Sequence, residues 1–281
     1  MKKKNLCAKA IEKYEEYLRS KEKSEATIEK YVRDVKAFYR YAGHAEITKQ
    51  LTVAYKEKIK EDGYAARSIN SMIAGINGLF SYLGWNDVKI NPLKIQRRIF
   101  RPEEKELSKT EYVRLVCAAR KRSDERLGMI LQTLCGTGIR VSELQAVTVE
   151  AVKRGEAVIT CKGKTRVVFI IRELQRKLLS FSKKRGIVSG CIFITRSGKP
   201  VSRISVWKEM KSLCADADID PRKVFPHNLR HLFARIFYGI DKDIAKLADV
   251  LGHSSIDTTR IYIVSTGAEH RRHMELMHLI I

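Results

Sequence analysis

Residues 251–264 read LGHSSIDTTRIYIV. Ser254, Ser255 and Asp257 offer N-caps for a short helix carrying Thr258 to Tyr262, because their side-chain oxygens accept from the free N–H groups of a first helical turn. His253 and Tyr262 flank this polar turn at a separation of nine residues. A lone tyrosine on a helix ordinarily packs into a core or an interface. Whether this one does more depends on what the rest of the chain supplies.

The chain has 281 residues, with 55 Lys and Arg against 32 Asp and Glu, a formal charge of +23. A charge this large points to a polyanion partner, with nucleic acid first and an anionic membrane surface second. Apolar residues make up 44%, enough for true cores and too many for a disordered chain. No run of 18 apolar residues occurs, so no transmembrane helix is expected. The start, MKKKNLCAKAIEKYEEYL, has no apolar segment of the kind a secretory signal needs. Cys7, Cys117, Cys135, Cys161, Cys191 and Cys214 are scattered without a CxxC pair, which argues against a zinc site or a disulfide framework. The expected setting is a reducing cytoplasm, with the protein on the nucleoid.

Residues 1–88 read as four helices. Apolar positions recur at three- and four-residue spacing through Ala10, Ile11, Tyr14, Tyr17 and Leu18, then through Ile28, Tyr31, Val32, Val35, Phe38 and Tyr39. A third helix runs near 51–60, and a fourth near 66–83 carries Ile69, Ile73, Ile76, Phe80 and Leu83. Residues 89–106, KINPLKIQRRIFRPEEKE, show no periodicity and carry two prolines and six basic residues, the pattern of an interdomain linker. Ser108 and Glu111 form a capping box that opens the second part, residues 107–281. Helices are expected at 110–120, 125–135, 172–184, 206–217 and from Pro226 onward. EAVITCKGKTRVVFII reads as two β-branched strands turned at KGK. The fold class is mainly α with a small antiparallel β-sheet.

Three further stretches carry candidate chemistry. In GTGIRVSEL, Arg140 starts a helix and Glu143 shares its side three residues on, so the carboxylate can hold the guanidinium in a pose suited to a phosphate. The hairpin tip CKGKTR sets Lys162, Lys164 and Arg166 on a tight turn. In PHNLRH, His227 and Arg230 share a helix face, pairing an imidazole that can move a proton with a cation for a phosphate oxygen. Taken singly, these read more simply as a salt bridge, a solvated basic turn and a polar helix face.

Jointly they do not. GTGIRVSEL, the KGK hairpin, PHNLRH and LGHSS with a tyrosine nine residues on resemble the tyrosine site-specific recombinases, or phage integrases, over most of the chain. The resemblance implies a C-shaped DNA clamp, with a helical SAM-like core-binding domain at 1–88 and an α/β catalytic domain at 107–281. It implies that Arg140 and Arg230 grip the scissile phosphate, Lys162 protonates the leaving 5′-oxygen, and His227 moves the tyrosine proton. His253 would stabilise the transition state and Tyr262 would be the nucleophile. Glu143 would support Arg140, Lys164 is a rival for the lysine role, and His231 is a structural or phosphate-neighbouring group. The implied DNA contacts are Arg97, Arg98, Arg101 and Arg166.

Elementary chemistry is compatible with this assignment. A phenol titrates near pH 10 and needs help to attack at neutral pH, and nearby guanidiniums favour the phenolate. A covalent 3′-phosphotyrosine conserves the broken bond's energy, so rejoining needs no ATP, and no GxxxxGK[ST] occurs. No metal or other cofactor is expected. His270, His273 and His278 read as polar faces of a last helix, whose Met274, Leu276, Met277, Leu279, Ile280 and Ile281 need a cover. In such recombinases this segment docks on a neighbouring protomer, which implies a homo-tetramer on double-stranded DNA and leaves room for an accessory DNA-bending factor. The chain's opening directly on core-binding helices tilts the expectation toward a compact recombinase of the Xer or simple-integrase kind. A type IB topoisomerase and a non-catalytic DNA-binding protein of the same fold are the competing readings.

Overall fold

In the computed structural model, the described residues are 3–95, 105–161, 164–263, 271–272 and 274–277. The chain divides into two compact units, 1–97 and 98–281.

The described residues of the first unit form four α-helices, α1 (Ala8–Ser20), α2 (Glu25–Ala42), α3 (Lys49–Glu61) and α4 (Ala66–Tyr82), and a 3₁₀ turn at Asn86–Val88. Their periodic apolar positions meet in one core: Ile11, Tyr14 and Leu18 from α1, Ile28, Val32, Val35 and Phe38 from α2, Tyr55 and Ile59 from α3, and Ile69, Ile73, Ile76 and Phe80 from α4. Phe38 meets Phe80 and Tyr55 edge-on, the preferred geometry for buried rings. The stretch expected to open the linker is packed here instead. Asn77 exchanges two hydrogen bonds of 2.8 Å with the Ile90 backbone, and Asn70 does the same with Leu93 at 2.7 and 2.9 Å. Ile90 is buried. Two asparagine amides, each both donor and acceptor, thus pair a strand-like segment that has no sheet to join. The remaining linker residues through 104 lie outside the described residues.

The second unit opens with α5 (Lys109–Lys121), whose Ser108–Glu111 capping box forms with bonds of 3.1 and 2.7 Å. Helix α6 (Glu125–Thr137) is the core's axis, with Leu127, Ile130, Leu131 and Leu134 buried. It ends at Gly138, whose φ of +65° suits a residue without Cβ. A 3₁₀ helix follows at Val141–Ala146, then the short α7 (Val149–Arg154). The latter is capped by Thr148 and stopped by Gly155 in the left-handed region. Strands β1 (Glu156–Cys161) and β2 (Lys164–Phe169) pair antiparallel, with Val158 opposite Val167 and Cys161 opposite Lys164. Alternation puts Ala157, Ile159 and Val168 in the core.

Helix α8 (Arg172–Lys184) packs on α6 and α7. The helix expected at 206–217 is split into α9 (Arg203–Ser212) and α10 (Cys214–Ala217), and starts earlier because Ser202 caps the Ser205 N–H at 3.0 Å. Helices α11 (Pro226–Asp241), α12 (Ile244–Leu251) and α13 (Ile256–Ile263) close the described fold and enclose a small cluster of Ala234, Leu247, Leu251 and Tyr262. Among the described residues the fold is therefore mainly helical with one two-stranded antiparallel sheet. No helix of the described residues is long and apolar enough to cross a membrane.

Candidate active site

Helix α6 ends where it does because Gly138 adopts a conformation that L side chains resist. A Cβ there would fall 2.4 Å from Phe233 Cδ1. The freed Gly138 carbonyl accepts from Arg230 Nη1 at 2.5 Å. Arg230 rises from the first turns of α11 and is the largest fully buried side chain, 1% exposed. Its Nη2 donates to the Leu251 carbonyl at 2.8 Å and to His253 Nε2 at 2.9 Å. Burial, then the nearby Arg140 charge, push this guanidinium's pKa down to about 10, which still leaves it charged at neutral pH. Its Nε–H is buried and has no acceptor among the described residues.

Arg140 enters from the other side. It is the N-cap of the 3₁₀ helix, and Glu143 one turn on folds back to it. The carboxylate accepts from the Arg140 backbone N–H at 2.7 Å and from Nη1 at 3.0 Å, a capping box with a charged donor added. The Arg140 side chain stays 37% exposed, whereas that of Glu143 is 6% exposed. Arg166 supplies two more donors to Glu143, at 3.1 and 2.7 Å. Burial opposes ionisation of Glu143, but the bonds from Arg166 and Arg140 outweigh it and hold its pKa below the ordinary value.

His253 follows Gly252, the left-handed C-cap of α12. Its Nδ1 lies 2.9 Å from Thr259 Oγ1, a buried hydroxyl on α13. Burial, then Arg230, Arg140 and Arg166, push His253 down to about 4. The Ser255 hydroxyl accepts the Asp257 N–H at 3.2 Å and starts α13, as the serine-rich turn led one to expect. Tyr262 is 5% exposed. Its Oη sits 3.2 Å from His227 Nε2, and its ring packs 4.3 Å from the His231 ring and 5.1 Å from His253. The Arg230 guanidinium carbon lies 5.7 Å from the Tyr262 ring centre, in cation–π range.

Arg140, His227, Arg230, His253 and Tyr262 thus converge, with Glu143 and His231 in contact with members of the group. A cavity of about 710 Å³ opens beside them, lined by Arg140, His227 and Arg230 together with Arg203, Ile204 and Trp207. Arg166, for which a DNA contact is expected, has a side chain 12% exposed and paired with the buried Glu143 carboxylate. Lys164 begins β2. Lys162, Arg97, Arg98, Arg101, His270, His273 and His278 lie outside the described residues, as does most of the expected last helix. Thr259 and the Gly138 and Leu251 carbonyls carry no sequence mark of their own. Only the glycine after a helix hinted at one of them.

The second unit's residues 105–269 match the model of the phage integrase family, and residues 11–87 match that of the phage integrase N-terminal SAM-like domain. Tyrosine recombinase XerA of Pyrococcus furiosus is 28% identical over 290 residues, covering 100% of this chain and 98% of the relative. Tyrosine recombinase XerC of Erythrobacter litoralis is 34% identical over 171 residues, 58% of this chain and 56% of the relative. In fold, the chain is similar to a lambda integrase fragment in a dimer bound to a core site, with a TM-score of 0.74, 19% identity and coverage of 92% and 95%. It is also similar to XerH recombinase bound to its difH substrate, with a TM-score of 0.68, 20% identity and coverage of 89% and 79%. With both of its units matched and the tyrosine, its histidines and the paired arginines gathered in one place, the chain belongs to the phage integrase family of tyrosine recombinases.

Proposed function

We propose that this chain cuts and rejoins double-stranded DNA at specific sites through a covalent 3′-phosphotyrosine and a Holliday junction, without metal or nucleotide cofactor. The carrying observation is Tyr262 Oη at 3.2 Å from His227 Nε2, beside a buried Arg230. Tyr262 attacks the scissile phosphorus while its proton passes to His227. The phosphorus–5′-oxygen bond breaks, and Lys162 protonates the departing oxygen. Arg140 and Arg230 neutralise the non-bridging oxygens, where negative charge grows. His253 takes part by holding Arg230 at the phosphate, its Nε2 accepting from Arg230 Nη2 at 2.9 Å. The new ester keeps the energy of the broken one, so a 5′-hydroxyl from a partner strand reverses the step with no other input.

The overall charge of +23 supports a DNA partner. So do the similar proteins seen on DNA. Assembly is proposed as a homo-tetramer on DNA through the C-terminal segment, whose described Met274, Leu276 and Met277 are exposed and apolar. Integration, excision and dimer resolution are the biological outcomes this chemistry serves.

The test is a duplex selected by binding from a random library and nicked next to the cleavage point, so that the cut strand cannot be resealed. An SDS-resistant adduct that persists in EDTA and is absent from Tyr262→Phe is expected. Tight binding without an adduct favours the non-catalytic reading.

A further inference from the structure

Arg166 occupies a position that its sequence neighbourhood does not explain. It lies on β2, in the hairpin, yet its guanidinium meets Glu143 fork to fork with bonds of 3.1 and 2.7 Å. Glu143 also accepts the two bonds from Arg140, one on each carboxylate oxygen. Each oxygen therefore serves both arginine residues. The Arg166 stem lies against the turn that carries His253. A Cβ on Gly252 would fall 2.4 Å from Arg166 Cδ and 3.0 Å from Nε, in a residue with φ +66°. One side chain thus touches the segment that holds Arg140 and abuts the segment that presents His253.

The charge balance gives this contact a purpose. Glu143 is needed to orient Arg140, but a lone carboxylate against a lone guanidinium would cancel the charge that a phosphate needs. It would also take two of the planar fork's donors, the same geometry a phosphate uses. Arg166 fills one acceptor position on each carboxylate oxygen and supplies the compensating charge. Arg140 is left with one side-chain bond to Glu143 and a side chain open to solvent.

We propose that Arg166 is a positioning residue for phosphate capture: it satisfies Glu143 so that Arg140 is oriented by the carboxylate without being neutralised by it. This inference rests on the strand-exchange reading above. It assigns no DNA contact to Arg166.

The test compares the full-length wild-type chain with Arg166→Gln, Arg166→Lys and the double variant Glu143→Gln/Arg166→Gln on the nicked duplex. Arg166→Gln is expected to slow adduct formation by roughly 10–100-fold, by analogy with the loss seen when a partner that orients a metal ligand is removed, with DNA affinity retained. Arg166→Lys restores the charge without the fork and falls between. The double variant forms adduct faster than Arg166→Gln, because removing the carboxylate charge removes the need for its compensation. A merely structural Arg166 would make the double variant the slower of the two.

A second arm uses a methylphosphonate at the scissile position, which has one fewer negative charge. There the Arg166→Gln deficit shrinks in step with that of Arg140→Ala. An unchanged rate for Arg166→Gln, or a double variant slower than the single, overturns the inference while wild-type cleavage stands. No adduct from the wild-type chain on either duplex overturns the strand-exchange reading, and this inference with it.

Discussion

Arg230 Nη2 lies 2.9 Å from His253 Nε2, and that contact settles which way the imidazole is protonated. Guanidinium nitrogens only donate, so Nε2 must accept. Nδ1 then carries the proton and donates to Thr259 Oγ1 at 2.9 Å. His253 is thereby neutral in the DNA-free protein, in line with its pKa near 4, set first by burial and then by the surrounding arginines.

A pH dependence follows. An unfolded histidine titrates near 6.5, so between about 4 and 6.5 the unfolded chain holds the extra proton and the native one does not. The stability from neutral His253 is fully present above about 6.5 and is lost progressively as pH falls toward 4. Thermal melts from pH 7.5 to 4.5 are expected to show a steeper decline for the wild-type chain than for His253→Gln, whose amide oxygen also accepts from Arg230. Parallel curves would show that His253 is not the group responsible.

Thr259→Val removes the acceptor for the His253 Nδ1 proton at nearly constant volume. The expected cost is about 0.5–1.5 kcal/mol, that of one hydrogen bond lost at a half-buried donor. Adduct formation falls with it, because His253 loses the contact that sets its orientation. Chemical denaturation and the cleavage assay measure the two effects separately.

Gly138→Ala is expected to destabilise by more than the ordinary left-handed penalty of about 1–2 kcal/mol. The new Cβ meets the Phe233 ring at 2.4 Å and displaces the carbonyl that holds Arg230. Phe233→Ala placed in the same chain removes the clash but leaves the backbone strain, so the double variant recovers part of the adduct rate lost by Gly138→Ala. Equal rates for the two would separate Gly138 from the site.

Glu143→Ala strips the shared acceptor from Arg140 and Arg166. Breaking a buried ion pair on one side costs about 3–5 kcal/mol, which for a unit of this size lowers Tm by roughly 6–20 °C. A calorimetric shift below about 2 °C would show that the two guanidiniums find water instead.

The first unit was legible because its chemistry is periodic: Ile28, Val32, Val35 and Phe38 recur at helical spacing and are buried as that spacing requires. The capping box at Ser108 and the hairpin turned at KGK are local signals, and local structure obeys them. The packing of residues 89–95 is not legible locally, because the asparagines that hold them, Asn70 and Asn77, lie on a helix more than ten residues upstream. The pairing of Arg166 with Glu143 is hidden from the sequence for a related reason. A basic residue at a hairpin tip looks solvated until the buried carboxylate that claims it is placed beside it. The motif residues Arg140, His227, Arg230, His253 and Tyr262 do converge. Spacing could not reveal the hydroxyl and carbonyl groups that aim them.

The most direct test of strand exchange by Tyr262 is to locate the covalent bond. The SDS-resistant adduct is digested with nuclease and trypsin and its peptides are weighed and fragmented. The peptide of residues 261–271, IYIVSTGAEHR, holds Tyr262 as its one tyrosine. A nucleotide 3′-phosphate mass on Tyr262, absent from Tyr262→Phe, is the predicted result. The same mass on Ser265, Thr266 or a tyrosine elsewhere, or an adduct that survives in Tyr262→Phe, would contradict it.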